Sequence, residues 1–203
     1  MVCVVGVIPW SADPAFAQEF HASRPHVVFS DEQQEPIVFG ATSLGNVDCR
    51  AARFGASLAQ RTAKRLVMGI DYVGCSLGGR KVAFATGGCG LWLSPGLPQL
   101  QPARIACRRG APEMRIWIAG LCTLRIGSQV PRGGVAYTDT GTSRGRSFDA
   151  NIGLDDIAYR RSGGLGCLFA GDGTGGSLDY GIEFHGQVTS AAGKREAAAV
   201  WVS

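Results

Sequence analysis

The stretch that decides the fold reads Leu178-Asp179-Tyr180-Gly181-Ile182-Glu183-Phe184-His185. Large apolar residues occupy every second position, and the residues between them are glycine, charged residues or histidine. Successive side chains of an extended chain point to opposite sides, so this spacing predicts a β-strand with one face in the core and the other in water. The glycine-rich run from Gly173 to Ser177 precedes it and is predicted to be the turn that leads into the strand.

The composition of the whole chain agrees with a turn-rich β protein. The chain has 203 residues, of which 30 are glycine, 45% are hydrophobic and 18% are charged. This hydrophobic fraction, with a net charge of only +4, excludes a disordered chain, and the glycines lack the three-residue period of collagen. No apolar run reaches the roughly 18–20 residues that a membrane-spanning helix needs, so we expect no membrane partner.

Short apolar runs separated by glycine and proline continue over most of the chain. Two such runs, at residues 67–73 and 80–85, flank a glycine-rich segment and predict a hairpin. Counted along the chain, these runs give about eight strands without helices between the later ones, so the fold is predicted to be mainly β, an antiparallel sandwich or barrel. We divide it into an N-terminal arm or strand extension at residues 1–45 and a β-sandwich domain at residues 46–203.

One segment departs from the period of two. Val47, Ala51, Phe54 and Leu58 recur at intervals of three and four residues, which predicts one short helix near residues 46–65. Arginines and lysines on one face of a helix neutralise phosphate charge without reading bases, so the segment is a candidate for a non-specific RNA contact. Scattered, solvated charge is the alternative. The candidate RNA-binding residues are Arg50, Arg53, Arg61, Lys64 and Arg65.

The one motif of catalytic type is Gly74-Cys75-Ser76-Leu77-Gly78, a G-x-S-x-G match. In serine hydrolases this motif places the nucleophilic serine on a tight turn from a strand into a helix. Asp155 and His185 follow in the order that an esterase-like hydrolase uses for its other two catalytic residues. The residues after Gly79 have the pattern of a strand, however, and a hairpin turn is the preferred interpretation. A helix after Gly79 would favour the hydrolase, and a strand would disfavour it.

No metal or cofactor site is predicted. Asp149, Asp155 and Asp156 would offer oxygen ligands to a hard cation, but a solvated acidic turn is the preferred interpretation. The seven cysteines include no C-x-x-C pair, so a zinc site is not indicated, and we expect most of them to be buried thiols of a reducing compartment. The apolar start of the chain has no basic segment before it and is not predicted to be a signal peptide.

The region from Phe54 to Phe84 resembles the entry to the shell domain in coat proteins of small icosahedral RNA viruses, the tombusvirus-like and sobemovirus-like group. A basic stretch, Leu58-Ala-Gln-Arg-Thr-Ala-Lys-Arg65, leads into a strand at 70–73, the turn Ser76-Leu-Gly-Gly79 and a second strand at 82–84. The segment at 173–184 is similar to the glycine-containing turn and last strand of that shell domain. The resemblance implies an eight-stranded jelly roll.

The resemblance also implies a structural function. Such a protein assembles with copies of itself into an icosahedral shell around RNA, and it is found in the virion after assembly in the host cytoplasm. The family's basic N-terminal arm is missing, because residues 1–23 contain neither lysine nor arginine. The RNA contact would therefore fall to the five basic residues between Arg50 and Arg65.

A β-sandwich binding module such as a lectin is a further alternative. Trp92, Trp117 and Trp201 occur in predicted strands and would stack on sugar rings if they were exposed. Tryptophans at strand positions are more often part of the core, and that is the expectation for these three.

Overall fold

The chain is all β in the parts that its computed structural model describes. Those parts contain seventeen strands and no helix. The described residues are 18–33, 37–41, 45–96, 100–139, 147–164 and 172–203. The strands are β1 (Phe20–Ala22), β2 (Val27–Gln33), β3 (Ile37–Ala41), β4 (Gly45–Leu58), β5 (Thr62–Ala63), β6 (Leu66–Leu77), β7 (Arg80–Ala85), β8 (Cys89–Leu93), β9 (Ala103–Cys107), β10 (Met114–Ile118), β11 (Cys122–Ile126), β12 (Arg132–Asp139), β13 (Phe148–Ser162), β14 (Gly173–Phe184), β15 (Gly186–Thr189), β16 (Arg195–Ala198) and β17 (Val200–Val202).

These strands form two antiparallel sheets. The small sheet has the order β17-β1-β5. The large sheet runs β16-β15-β2-β4-β3-β14-β13-β11-β10-β7-β6-β8-β9, with β12 beside β13 and a further pairing between β4 and β6. Because β4 and β6 lie far apart in that order yet pair directly, the sheet curls back on itself into a sandwich-like shape. The predicted antiparallel β class is confirmed, whereas the count of about eight strands was too low.

The helix expected near residues 46–65 is wrong, because this segment forms most of the long strand β4 and the short strand β5. Val47 and Ala51 are buried on one face of the strand, and Phe54 and Leu58 are buried on the other. In each interval of four, a smaller buried residue stands at the middle position, Cys49 between Val47 and Ala51 and Ala56 between Phe54 and Leu58, so every second residue is in fact buried. The interval of three arises where the buried face changes, so the strand imitates a helical period.

The same change of buried face occurs in β6. In β6 the buried positions pass from Leu66 and Met68 to Cys75 and Leu77, which point to the opposite side. In β13 the buried positions shift from even to odd numbers at Asp156, which has a φ of 56°, but the cause there is a bulge: Leu154 is opposite Leu178 and Ile157 is opposite Gly176, so both stay on the same side of the sheet. β4 and β6 therefore expose one face near one end and the opposite face near the other.

The terminal alternation is confirmed. Tyr180, Ile182 and Phe184 of β14 are buried, and the residues between them are exposed. The turn expected at residues 173–177 is wrong, since these residues continue β14 and pair with β13 and β3. A Cβ on Gly173 would lie 2.5 Å from the Tyr159 ring, so a glycine lets that ring pack against the strand.

The described buried side chains form one core cluster. At its centre, aromatic rings from β1, β2, β12, β13 and β14 are in edge or stacked contact, with ring centroids 4.9–6.2 Å apart. Such offset and edge-on pairs add stability beyond the burial of their area. The rings belong to Phe20, Phe29, Tyr137, Phe148 and Phe184.

Two disulfides cross-link neighbouring strands. Cys49 of β4 is bonded to Cys75 of β6, and Cys89 of β8 is bonded to Cys107 of β9; each pair occupies directly opposed positions. The expectation of unpaired thiols is therefore wrong for these four cysteines. Disulfides persist in oxidising surroundings and are rare in the cytosol. Cys122 is buried and belongs to neither bond, and Cys3 and Cys167 lie outside the described residues.

The predicted arm also lies partly outside the described residues, which begin at residue 18. Within it, β1 pairs with β17 and β5, and β2 pairs with β4 and β15. In the described part of the chain, no helix is long and apolar enough to cross a membrane.

Candidate functional site

Ser76 lies near the end of β6, two residues before a hairpin. Leu77 pairs with Arg80 of β7, and Gly78 and Gly79 between them have positive φ values of 53° and 78°. Two such residues in a two-residue loop are the usual connection of a tight hairpin. The strand expected after Gly79 is confirmed, so Ser76 does not stand on the strand-to-helix turn that the hydrolase motif requires.

The other two residues of the hydrolase hypothesis have partners of their own. His185 lies 3.2 Å from Glu183, and Asp155 is opposite Arg132 in the pairing of β12 with β13. Within the described residues, no hydrogen bond joins Ser76, Asp155 and His185. The cross-strand neighbours of Ser76 are instead Asp48 and Lys81.

The candidate cation ligands do not converge. Asp156 forms an ion pair of 3.2 Å with Arg132, and Asp149 is opposite Glu183 on the neighbouring strand. Desolvation, together with repulsion from Glu183, raises the pKa of Asp149, against the smaller opposing effect of His185. No group of three or more potential metal ligands occurs among the residues that the structure describes.

A tyrosine pair in the core, of which Tyr180 is buried and Tyr72 partly buried, has raised pKa values. The hydroxyl groups of Tyr72 and Tyr180 are hydrogen-bonded to each other. Burial raises the pKa of Tyr72 to about 12 and moves the pKa of Tyr180 well above its ordinary value. Both phenols therefore stay protonated at neutral pH, as is typical of groups that serve packing.

The five predicted RNA-binding residues do not share one face. Arg50 and Arg53 are three residues apart in an extended strand, so they project to opposite sides of β4. Arg53 forms an ion pair of 3.0 Å with Glu32, and the side chain of Arg50 packs over Gly74. The other three, Arg61, Lys64 and Arg65, are exposed around β5 in the connection from β4 to β6.

Arg65 belongs to a basic aromatic surface that we call the Trp92 surface: Arg65, Val67, Trp92, Arg104 and Arg108. The guanidinium carbons of Arg65 and Arg104 lie 4.3 and 5.4 Å from the centre of the Trp92 ring. In the strand pairing, Val67 is opposite Trp92, and Trp92 is opposite Arg104, so the three form a line across β6, β8 and β9.

The Trp92 surface is concave and carries uncompensated positive charge. A cleft of about 280 Å³ runs beside it, lined by Val67, Trp92, Arg108 and the backbone of Gly69 and Gly90, and no carboxylate lines it. Within the described residues, the three arginines of this surface form no ion pair. Val67 is 50% exposed, so the surface also presents apolar area to a ligand.

A second basic feature, which we call the arginine row, consists of Arg115, Arg125 and Arg160. Arg115 of β10 is directly opposite Arg125 of β11, and Arg125 is directly opposite Arg160 of β13. Trp117, two residues beyond Arg115 on the same face, is 49% exposed. Like charges at opposed positions of a sheet are destabilising, so this arrangement has a cost in the free protein.

The two basic features lie on opposite faces of the sheet. Val67 and Ser76 of β6 are nine residues apart and so point to opposite sides. Val67 is on the side of the Trp92 surface. Ser76 is opposite Lys81 of β7 and lies on the same side of the sheet. Ala83, two residues after Lys81 on β7, also lies on that side and is opposite Trp117, so Trp117 shares the side of Ser76.

Sequence reasoning singled out Arg65 and named Trp92 and Trp117 as candidate sugar-stacking residues, but it did not group them with the other arginines of these surfaces. The alternation of Met114, Ile116 and Ile118 with Arg115 and Trp117 already contained the signal, because it assigns Arg115 and Trp117 to the outer face. The expectation that the tryptophans are core residues is wrong for Trp117, and Trp92 is only partly buried. Trp201 is also partly buried and stacks on His21, with ring centroids 5.2 Å apart.

Comparisons with known proteins supply no further constraint, since no family model, curated protein or solved structure matches this chain.

Proposed function

We propose that this chain is a binding protein, not an enzyme, and that its Trp92 surface binds single-stranded RNA without sequence specificity. The observation that carries the proposal is a partly exposed indole with Arg65 and Arg104 against its ring, beside a cleft that Arg108 lines and that no carboxylate lines. Arginines neutralise phosphates, and an aromatic ring stacks on any base, which together give affinity without base readout.

The coat-protein prediction is the specific form of this proposal. It adds a jelly-roll shell, self-assembly around the RNA and a virion as the place of function. Its support is the antiparallel, sandwich-like β fold, which matches the coarse architecture expected from the resemblance. The two disulfides are typical of proteins in oxidising surroundings, which include virion surfaces.

RNA binding is tested by fluorescence anisotropy with a short labelled single strand at several salt concentrations. Replacing Arg65, Arg104 and Arg108 together by alanine should lower the magnitude of the log–log salt slope by about 2, because each phosphate contact on a single strand contributes about 0.7. The matched control replaces the three arginines of the arginine row and should leave the slope unchanged. An unchanged slope in the first variant contradicts the proposal.

The contribution of the indole is tested separately. Trp92→Ala should weaken RNA binding by about 5- to 150-fold, the value of stacking one base, with less change in the salt slope than the triple arginine variant shows. Trp117→Ala is the control for the loss of an exposed tryptophan. Equal losses in the two variants would mean that Trp92 has no special role.

Self-assembly is an independent part of the proposal. Light scattering after size-exclusion chromatography, with and without RNA, should detect particles much larger than the 21.3 kDa chain. A monomer under every salt condition would exclude the coat-protein form while leaving RNA binding to be judged by the anisotropy experiment.

A further inference from the structure

We propose that the arginine row and Trp117 form a second binding surface, for an acidic polysaccharide whose sugar rings carry carboxylates. The row crosses three neighbouring strands, β10, β11 and β13, at directly opposed positions. Neighbouring strands are about 4.8 Å apart, so a chain that lies across them meets one guanidinium per strand. That interval is close to the advance of one sugar ring along an extended polysaccharide.

The charge of the row is only partly balanced. Arg160 forms an ion pair of 2.6 Å with Glu113, and Arg125 donates a hydrogen bond through Nε to the hydroxyl oxygen of Ser162. Within the described residues, Arg115 and Arg125 form no ion pair. A ligand with regularly spaced carboxylates would relieve the repulsion between the opposed arginines, and the planar guanidinium binds a carboxylate through two parallel hydrogen bonds.

Trp117 supplies the apolar part of the surface. Its cross-strand neighbours are Ala83 on β7 and Thr123 on β11, whose side chains are too short to cover the indole. The C–H face of a sugar ring would bury apolar area against such an open ring. Thr123 lies beside Arg125 on the same outer face and offers a hydroxyl to the sugar hydroxyl groups.

The observations favour a polysaccharide over a nucleic acid at this surface. The two disulfides indicate that the folded chain functions in oxidising surroundings, as outside the cell, where acidic polysaccharides are the common polyanions. The row also lies on the opposite face of the sheet from the Trp92 surface. The inference therefore does not rest on RNA binding, and either proposal can fail alone.

The experiment measures binding of the oxidised full chain to oligogalacturonate by calorimetry, with neutral dextran of similar length as the ligand control. Replacing Arg115, Arg125 and Arg160 by alanine should weaken binding about tenfold, as expected for three exposed ion pairs. Trp117→Ala should weaken it several-fold without changing its salt dependence. Circular dichroism and the thermal midpoint establish that each variant is folded.

The matched control replaces Arg65, Arg104 and Arg108 of the Trp92 surface and should bind oligogalacturonate like the wild type. Three outcomes overturn the proposal: equal binding by the arginine-row variant, equal affinity for dextran, or a loss confined to the Trp92-surface variant. Displacement of oligogalacturonate by an equal charge concentration of RNA would also overturn it, because the surface would then select charge alone. If the triple alanine variant does not fold, substitution of the same three arginines by lysine replaces it and should still weaken binding, since lysine lacks the planar fork.

Discussion

Replacing Cys49 and Cys75 by alanine removes the cross-link between β4 and β6, the pair of strands that closes the large sheet on itself. The two cysteines are 26 residues apart in sequence. The loop-entropy relation then gives a stabilisation of about 3.5 kcal/mol, because the bond restricts the unfolded chain. For a chain of this length, that corresponds to a fall of roughly 7–14 °C in the thermal midpoint.

The assay is urea denaturation followed by far-ultraviolet circular dichroism, on oxidised wild type, on wild type treated with reductant, and on the double variant. The matched variant removes Cys89 and Cys107, which are 18 residues apart, and should cost about 3.2 kcal/mol by the same relation. Mass spectrometry after alkylation establishes which bonds are present. If oxidised protein alkylates at Cys49 and Cys75 without reduction, or if the double variant is as stable as wild type, the reasoning is refuted.

Three further predictions concern single residues. Phe148→Ala should lower the free energy of unfolding by about 3–5 kcal/mol in urea denaturation, because the side chain is fully buried among four aromatic rings; a loss below about 1 kcal/mol would contradict this packing. Asp149→Asn should stabilise the protein by about 0.2–1 kcal/mol at neutral pH, because Asp149 faces Glu183 and its raised pKa means that folding disfavours the carboxylate. In the wild type, the stability that the protonated Asp149 contributes is present in acid and is lost as the pH rises through its folded pKa. The advantage of Asp149→Asn over the wild type should therefore vanish in acid, and an advantage that does not change with pH would contradict the assignment. A fluorophosphonate probe should not label Ser76, and labelling of wild type that Ser76→Ala abolishes would revive the hydrolase hypothesis.

The accuracy of sequence reasoning depended on whether a strand kept one buried face. The segment from Leu178 to Phe184 does so, and its strand and its buried positions were predicted correctly. β4 does not, because its buried face changes between Ala51 and Ala52, and the resulting spacing was mistaken for a helix. The predictions for the glycine-rich runs were also correct in one case and wrong in the other. Gly78 and Gly79 form the expected hairpin loop, whereas the run from Gly173 extends a strand.

The sequence by itself determined the β class, the terminal strand, the hairpin after β6 and the weakness of the serine motif. These follow from local alternation and from turn residues, which act over a few positions. Only the tertiary structure decided which cysteines are bonded and which arginines share a surface. The register between strands distant in sequence sets both, and the composition of each strand alone does not encode it. Arg115, Arg125 and Arg160 form a row because three strands align them, and Arg50 and Arg53, though close in sequence, are separated because an extended chain points them apart.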